Sequence, residues 1–154
     1  MSQYSTFRLG DRLFGLDIMM IREINRILDI TPVPHAREHI RGLINLRGQI
    51  VTILDLGLRL GLPRLDIGEE SHNIILKTNA ELSAVQNSKN FTTSTDLVGF
   101  LVDAIGDVLE ADDASIEPPS ANVSEAESQF LSGVIKTDAG LLVLLDIREV
   151  LHGE

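Results

Sequence analysis

The chain of 154 residues has no cysteine and no tryptophan, and aromatic residues make up only 4% of it. Without cysteine there is no disulfide framework, no thiol nucleophile and no cysteine metal cage. With so few aromatics, the interior must be built from Leu, Ile and Val, with Phe7, Phe14, Phe100 and Phe130 as its larger anchors. Long apolar runs are missing too. The densest, Leu141 to Leu145, is strand-sized and far short of a membrane span. The opening residues, Met1 to Arg8, lack the basic-then-apolar form of a signal peptide. These features predict a soluble, cytoplasmic protein with no direct membrane insertion.

The signatures of several chemistries are also absent. Gly42 to Gly48 lacks the Lys-Ser/Thr that a phosphate cradle needs, and there is no Gly-x-Ser-x-Gly elbow. His35 and His39 stand four apart, a spacing that binds metal on a helix, but Pro34 precedes them and no third ligand is near. They read as exposed turn histidines. Asp55 and Asp146 each precede a short helical segment and read as helix caps, not as an acid–base pair. No catalytic residue, cofactor or metal is expected.

What is present begins with charge. A net charge of −10 argues against a general nucleic-acid binder, which needs a basic surface to displace counterions. Residues 1–68 carry nine Arg, no Lys and seven acids, a balance of +2; residues 69–154 carry four basic and sixteen acidic side chains, a balance of −12. Arg without Lys favours a protein-facing surface, because Arg is enriched and Lys depleted at interfaces.

The most informative stretch runs from Gly42 to Leu56. It reads as two apolar strands joined by a tight turn at Arg47-Gly48, with Gly48 supplying tolerance of positive φ and Arg47 held, charged, at the hairpin tip. Before it, Phe7 and Leu9 alternate with polar neighbours, Gly10-Asp11 marks a turn, and Arg12 to Leu16 is a return strand. Asp17 caps a single helical turn. Arg22 to Ile30 reads as one long strand stopped by the prolines of Thr31-Pro32-Val33-Pro34. A helical turn is expected over His35 to Ile40 and a short helix over Leu56 to Leu60. Strands follow at Asn73 to Lys77, Leu97 to Val102 and Ala104 to Glu110, then a hairpin around Asp138-Ala139-Gly140 and a final helix over Ile147 to Leu151. Thr78 to Asp96 and Ser120 to Ser128 read as polar loops.

The chain repeats itself. With Gly42 set on Gly133, Ile44 falls on Ile135, Ile50 on Leu141, Ile53 on Leu144, Leu54 on Leu145 and Asp55 on Asp146. With Gly15 set on Gly99, Ile18 falls on Val102, Ile21 on Ile105, Glu23 on Asp107 and Ile24 on Val108. Between these blocks stand Ile30-Thr31-Pro32 and Ile116-Glu117-Pro118. Three matches in one order indicate two copies of a small β unit. About five short strands per copy suit a small closed barrel, and two barrels would share a core. At the hairpin tip the copies differ: Arg47 in one, Asp138 in the other.

These residues carry a family resemblance. Phe7-Arg8-Leu9-Gly10, Phe14-Gly15-Leu16-Asp17-Ile18, Ile21-Arg22-Glu23-Ile24, Ile30-Thr31-Pro32-Val33-Pro34 and the Gly42 to Val51 hairpin resemble the CheW family of chemotaxis coupling proteins, as do Gly99 to Asp103, Ile116 to Pro119 and Leu144-Leu145-Asp146. Asn45-Leu46-Arg47-Gly48 is the most specific of these motifs. The resemblance implies an all-β fold: two SH3-like five-stranded β-barrel subdomains packed in one compact unit, with short helices after Pro34, after Asp55 and at the C-terminus. It implies one domain over residues 1–154 with approximate halves 1–68 and 69–154, strand exchange between subdomains being possible.

The resemblance also implies a function. The chain would be a non-catalytic adaptor linking the cytoplasmic tip of chemoreceptors to the regulatory domain of a CheA-type histidine kinase, at receptor arrays on the inner face of the membrane. The positions matching the family's receptor groove are Ile21, Glu23, Arg47 and Ile105, with Glu23 placed to hold Arg47 by a charge-assisted hydrogen bond. Kinase-contact positions are not assigned. The chain departs from the family in a longer Thr78 to Asp96 loop and in lacking a basic-aromatic pattern over Gly57 to Gly68. The alternative function is a scaffold or coupling module of a non-motility two-component pathway, or a self-assembling interaction protein.

Overall fold

The computed structural model describes residues 1–84, 91–119, 128–138 and 140–153. Among them ten strands form two five-stranded sheets. In chain order these are β1 (Ser2–Leu9), β2 (Arg12–Asp17), β3 (Ile21–Asn25), β4 (Ile40–Leu46), β5 (Gln49–Asp55), β6 (His72–Leu76), β7 (Val98–Val102), β8 (Ala104–Ala111), β9 (Leu131–Thr137) and β10 (Gly140–Leu145). The first barrel has the strand order β8-β1-β2-β10-β9 and the second β3-β6-β7-β5-β4.

The two orders are the same once β1–β5 are set on β6–β10, and this is the duplication seen in the sequence. Its register repeats residue for residue. Gly15 pairs in parallel with Leu144 in one barrel, and Gly99 with Ile53 in the other. The irregular step in the β4–β5 ladder, where Ile40 meets Leu54 and Gly42 meets Ile53, recurs where Leu131 meets Leu145 and Gly133 meets Leu144. Even the isolated bridges match, Thr31 to Leu43 and Glu117 to Val134. Yet the copies are exchanged. Each barrel takes two strands from one repeat and three from the other, so a cut between residues 68 and 69 separates the repeats but not the barrels. Charge follows the barrels. Residues 18–102 hold nine basic and nine acidic side chains, so the whole net charge of −10 falls on residues 1–17 and 103–154, four basic against fourteen acidic.

The exchange builds a shared core. Phe7, Leu9, Phe14 and Leu16 of the first barrel pack in one cluster with Leu54, Ile74, Leu76, Phe100 and Val102 of the second. The four phenylalanines singled out above are all buried, and Phe7 stacks on Phe14 with ring centroids 6.1 Å apart. Each barrel also has its own smaller core, Ile44, Leu46, Val51, Ile53, Leu65, Ile75 and Leu101 in the second, and Tyr4, Ile135, Leu142 and Leu144 in the first.

The helices are short and locally encoded. α1 (Leu56–Arg59) is capped by Asp55, which accepts from Leu58 N–H, and α3 (Ile147–His152) by Asp146, which accepts from Glu149 N–H. Asp17 likewise caps a 3-10 turn at Ile18–Met20. α2 (Asn79–Ala84) lies in the stretch read as a loop. Its start is a capping box: Thr78 Oγ1 accepts from Glu81 N–H, and the Glu81 carboxylate accepts from Thr78 N–H, each at 3.2 Å. Residues 85–90 of that stretch and most of the second polar loop, 120–127, lie outside the described residues.

Two expectations need correction. No helix forms after Pro34. Two successive turns stand there instead, Ala36 N–H to Val33 O and Ile40 N–H to Arg37 O, because His35 takes a left-handed φ of 62° that cannot propagate a right-handed helix. The long strand read over Arg22 to Ile30 stops at Asn25, whose side-chain oxygen accepts from Ile27 N–H and turns the chain out of the sheet.

Candidate protein-docking site

The hairpin tip between β4 and β5 has positive φ at both central residues, 50° at Arg47 and 87° at Gly48, as a two-residue hairpin turn of primed type requires. Glycine meets that demand without strain; arginine does not, at a cost of about 1 kcal/mol. Asn45 steadies the turn by accepting from Gly48 N–H at 2.8 Å. The strain holds Arg47 clear of its own strands, with 70% of its side chain exposed.

That side chain reaches across the seam of the second barrel. β3 is one edge of the sheet and β4 the other. Arg47 donates to Glu23 on β3, and Arg22 on β3 donates to Gln49 Oε1 at 3.1 Å. These two contacts clasp the free edge against the hairpin tip. Arg22 is further set 3.8 Å from Glu81 on α2. The Arg47 guanidinium holds the Glu23 carboxyl below the usual carboxylate range, against the opposing pull of partial burial and with help from Asn25 and Arg22. An exposed ion pair of this kind adds little to stability, at most about 1 kcal/mol. Its stronger physical property is presentation: a fixed, charged, exposed arginine.

Apolar side chains flank the clasp. Ile24 follows Glu23 and Ile50 follows Gln49, and both are exposed, Ile50 to 62%. Their counterparts in the first barrel, Val108 and Leu141, are exposed too. Ile50 and Leu141 are aligned in the repeat and apolar in both copies, which taken alone would suit a core position. Strand alternation overrules that: Val51 and Ile53 face inward, which sends Ile50 outward. An apolar residue kept at the surface in both copies was the available signal.

Of the four residues matched to a receptor groove, the structure brings Glu23 and Arg47 together. Ile21 opens β3 opposite Leu76, and Ile105 stands opposite Phe7 on β8, the equivalent place in the first barrel. Both are half-buried against the shared core. Cavities lie elsewhere: one of about 520 Å³ is lined by Leu9, Arg12, Leu62 and Arg64, and one of about 350 Å³ by Tyr4, Met20, Phe91 and Ile116. Among the described residues, no three His, Asp or Glu side chains converge as a metal site, and no helix is long and apolar enough to cross a membrane. Burial, then Arg59 and Arg37, lowers the pKa of His39. Arg59 itself lies over the Phe130 ring at 4.7 Å and donates to Val150 O at 2.8 Å, fastening α1 to α3.

Comparison with known proteins agrees with this geometry. A family model described as a CheW-like domain matches residues 3–154. The chain is 31% identical to a chemotaxis protein CheW of Rhizobium meliloti, over 96% of this chain and 86% of that one. It is 30% identical to that of Thermotoga maritima, over 96% and 85% respectively. The crystal structure of the scaffolding protein TtCheW from Thermoanaerobacter tengcongensis superposes with a TM-score of 0.80 at 29% identity, covering 99% of this chain and 90% of that one. These matches favour the coupling reading over the alternative of a non-motility or self-assembling scaffold. Two exchanged barrels, a clasped Asn-Leu-Arg-Gly hairpin and a family match over nearly the whole length lead to one conclusion: the chain belongs to the CheW family of chemotaxis coupling proteins.

Proposed function

We propose that this chain is a non-catalytic adaptor that joins the cytoplasmic tip of a chemoreceptor to the regulatory domain of a CheA-type histidine kinase, in the cytoplasm at receptor arrays. The observation that carries the reading is the strained, exposed Arg47 held by Glu23 and flanked by Ile24 and Ile50. A charged anchor with an apolar surround is the make-up of an interface hot spot, not of a solvated turn. Ile21 and Ile105, half-buried at matching places on the two barrels, supply the apolar contacts for a receptor helix laid between them.

Co-purification with a kinase regulatory domain and with a receptor-tip fragment tests the proposal. Arg47→Ala is expected to weaken one or both by roughly 30-fold, or about 2 kcal/mol. Binding of both fragments at wild-type strength by Arg47→Ala would remove Arg47 from the site. Failure of the wild-type chain to bind either fragment would reject the adaptor reading.

A further inference from the structure

Behind the clasp runs a short polar chain that the docking reading does not use. Asn25 and Asn73 stand directly opposite each other in the β3–β6 ladder. Asn73 is fully buried, and its Nδ2 donates to Asn25 Oδ1 at 3.2 Å and to Ile27 O at 2.8 Å. Asn25 Oδ1 also accepts from Ile27 N–H, which leaves its Nδ2 to donate to Glu23 Oε2 at 3.2 Å. The other carboxylate oxygen, Oε1, takes Arg47. Among the described residues, no protein group donates to the buried Asn73 Oδ1, so the described bonds of this side chain all run from its Nδ2 toward Asn25 and Ile27.

The duplication supplies a comparison inside the molecule. The same ladder position in the first barrel is the pair Tyr4 and Leu109, which packs against that barrel's own core. There, Asp107 and Asp138 stand in place of Glu23 and Arg47. The asparagine pair accompanies the clasp, and the tyrosine–leucine pair accompanies its absence. A strand end needs only the Asn25 oxygen, so the end of β3 does not account for the buried asparagine behind it.

We infer that Asn25 and Asn73 are positioning residues for the docking arginine: Asn73 fixes the Asn25 amide, Asn25 fixes the Glu23 carboxylate, and the carboxylate fixes Arg47. Fixing the carboxylate from both sides leaves the guanidinium one geometry before a partner arrives, which reduces the ordering cost of binding. This inference rests on the proposed docking role of Arg47.

The test uses the full chain with Asn73→Val, which touches neither Glu23 nor Arg47, and with Asn25→Ser, which keeps a turn-capping oxygen but is too short to reach Glu23. Carboxyl-detected NMR follows the titration of Glu23, and calorimetry measures affinity for the receptor-tip fragment and for the regulatory domain of a CheA-type kinase. Both variants are expected to move the Glu23 titration to higher pH and to weaken binding about five-fold. A Glu23 titration unmoved in both overturns the inference, since a purely structural pair would change stability alone. If Asn73→Val does not fold, Asn25→Ser decides. Arg47→Ala with undiminished binding overturns the docking reading instead, and the Glu23 titration still decides whether the asparagines position the clasp.

Discussion

In the second barrel the hairpin tip carries Arg47 tied to Glu23; in the first the same two positions carry Asp138 and Asp107, like charges that cannot form such a pair. Gln49 and Arg22, the other half of the clasp, are replaced by Gly140 and Gly106. Beneath these differences the backbones agree in ladder register, irregular step, cap and isolated bridge. The copies keep what the fold requires and differ in exposed chemistry. The neutral barrel holds the arginine clasp, and the acidic one holds none.

The comparison can be broken most severely at the caps. Asp55 caps α1, accepts from Leu65 N–H at 2.8 Å and pairs with the largely buried Arg41 at 3.3 Å; for Asp146 the described bond is the α3 cap. Asp55→Ala is expected to cost about 3–5 kcal/mol, because it takes the carboxylate from a largely buried cation and the acceptor from Leu65 N–H, and Asp146→Ala about 1 kcal/mol. Urea unfolding of both variants measures the gap, and equal losses would mean the two caps do the same work.

The close approaches behind each hairpin come next. A Cβ on Gly42 would sit 2.1 Å from the Thr31 carbonyl oxygen, at a φ of 144° that side chains avoid. On Gly133 it would meet the Ile116 side chain at 2.4 Å, an atom better able to move. Gly42→Ala should therefore destabilise by about 3 kcal/mol and Gly133→Ala by about 1–2 kcal/mol. Thermal unfolding distinguishes them, and a larger effect at Gly133 would reverse the assignment of which bridge is rigid.

At the tips the expected effects are on binding. Arg47→Ala should cost about 2 kcal/mol in affinity for the kinase or receptor fragment, and Asp138→Ala less than about 0.5 kcal/mol. Comparable losses in a titration of both would make the two tips equal partners. The smallest effect is one of pH. The Glu23 pKa is lowered in the fold, so the clasp's contribution is complete at neutral pH, above the ordinary carboxylate range, and is lost as pH falls through the lowered value. Side-chain NMR of Arg47 should follow that titration; a flat response would disconnect the pair.

Much of this was readable from residues alone. The duplication, both helix caps, the Arg-Gly turn and the pairing of Glu23 with Arg47 follow from spacing, capping chemistry and a family pattern. The left-handed Arg47 and His35 did not, because neither residue type announces a positive φ. α2 is masked in the sequence by its polar, Ser-, Thr- and Asn-rich surroundings, although Thr78 and Glu81 spell out a capping box. Strand exchange was open as a possibility only, since a repeat shows which strands correspond and not which copy they pair with. The asparagine pair has no signature in a linear pattern. Its meaning depends on Tyr4 and Leu109 occupying the equivalent rungs of the other barrel.

Strand exchange also sets a timetable for synthesis. β1 and β2 emerge first, carrying Phe7, Leu9, Phe14 and Leu16, but their partners β8, β9 and β10 begin at residue 104. The second barrel, whose strands span residues 21–102, is the first that a ribosome can complete. At about 5–20 residues per second, the opening hairpin waits several seconds for its sheet. During that wait its apolar face has one native surface to rest on, the side of the finished barrel that becomes the shared core. By order of emergence, the barrel with the arginine clasp has all its strands before the acidic barrel does.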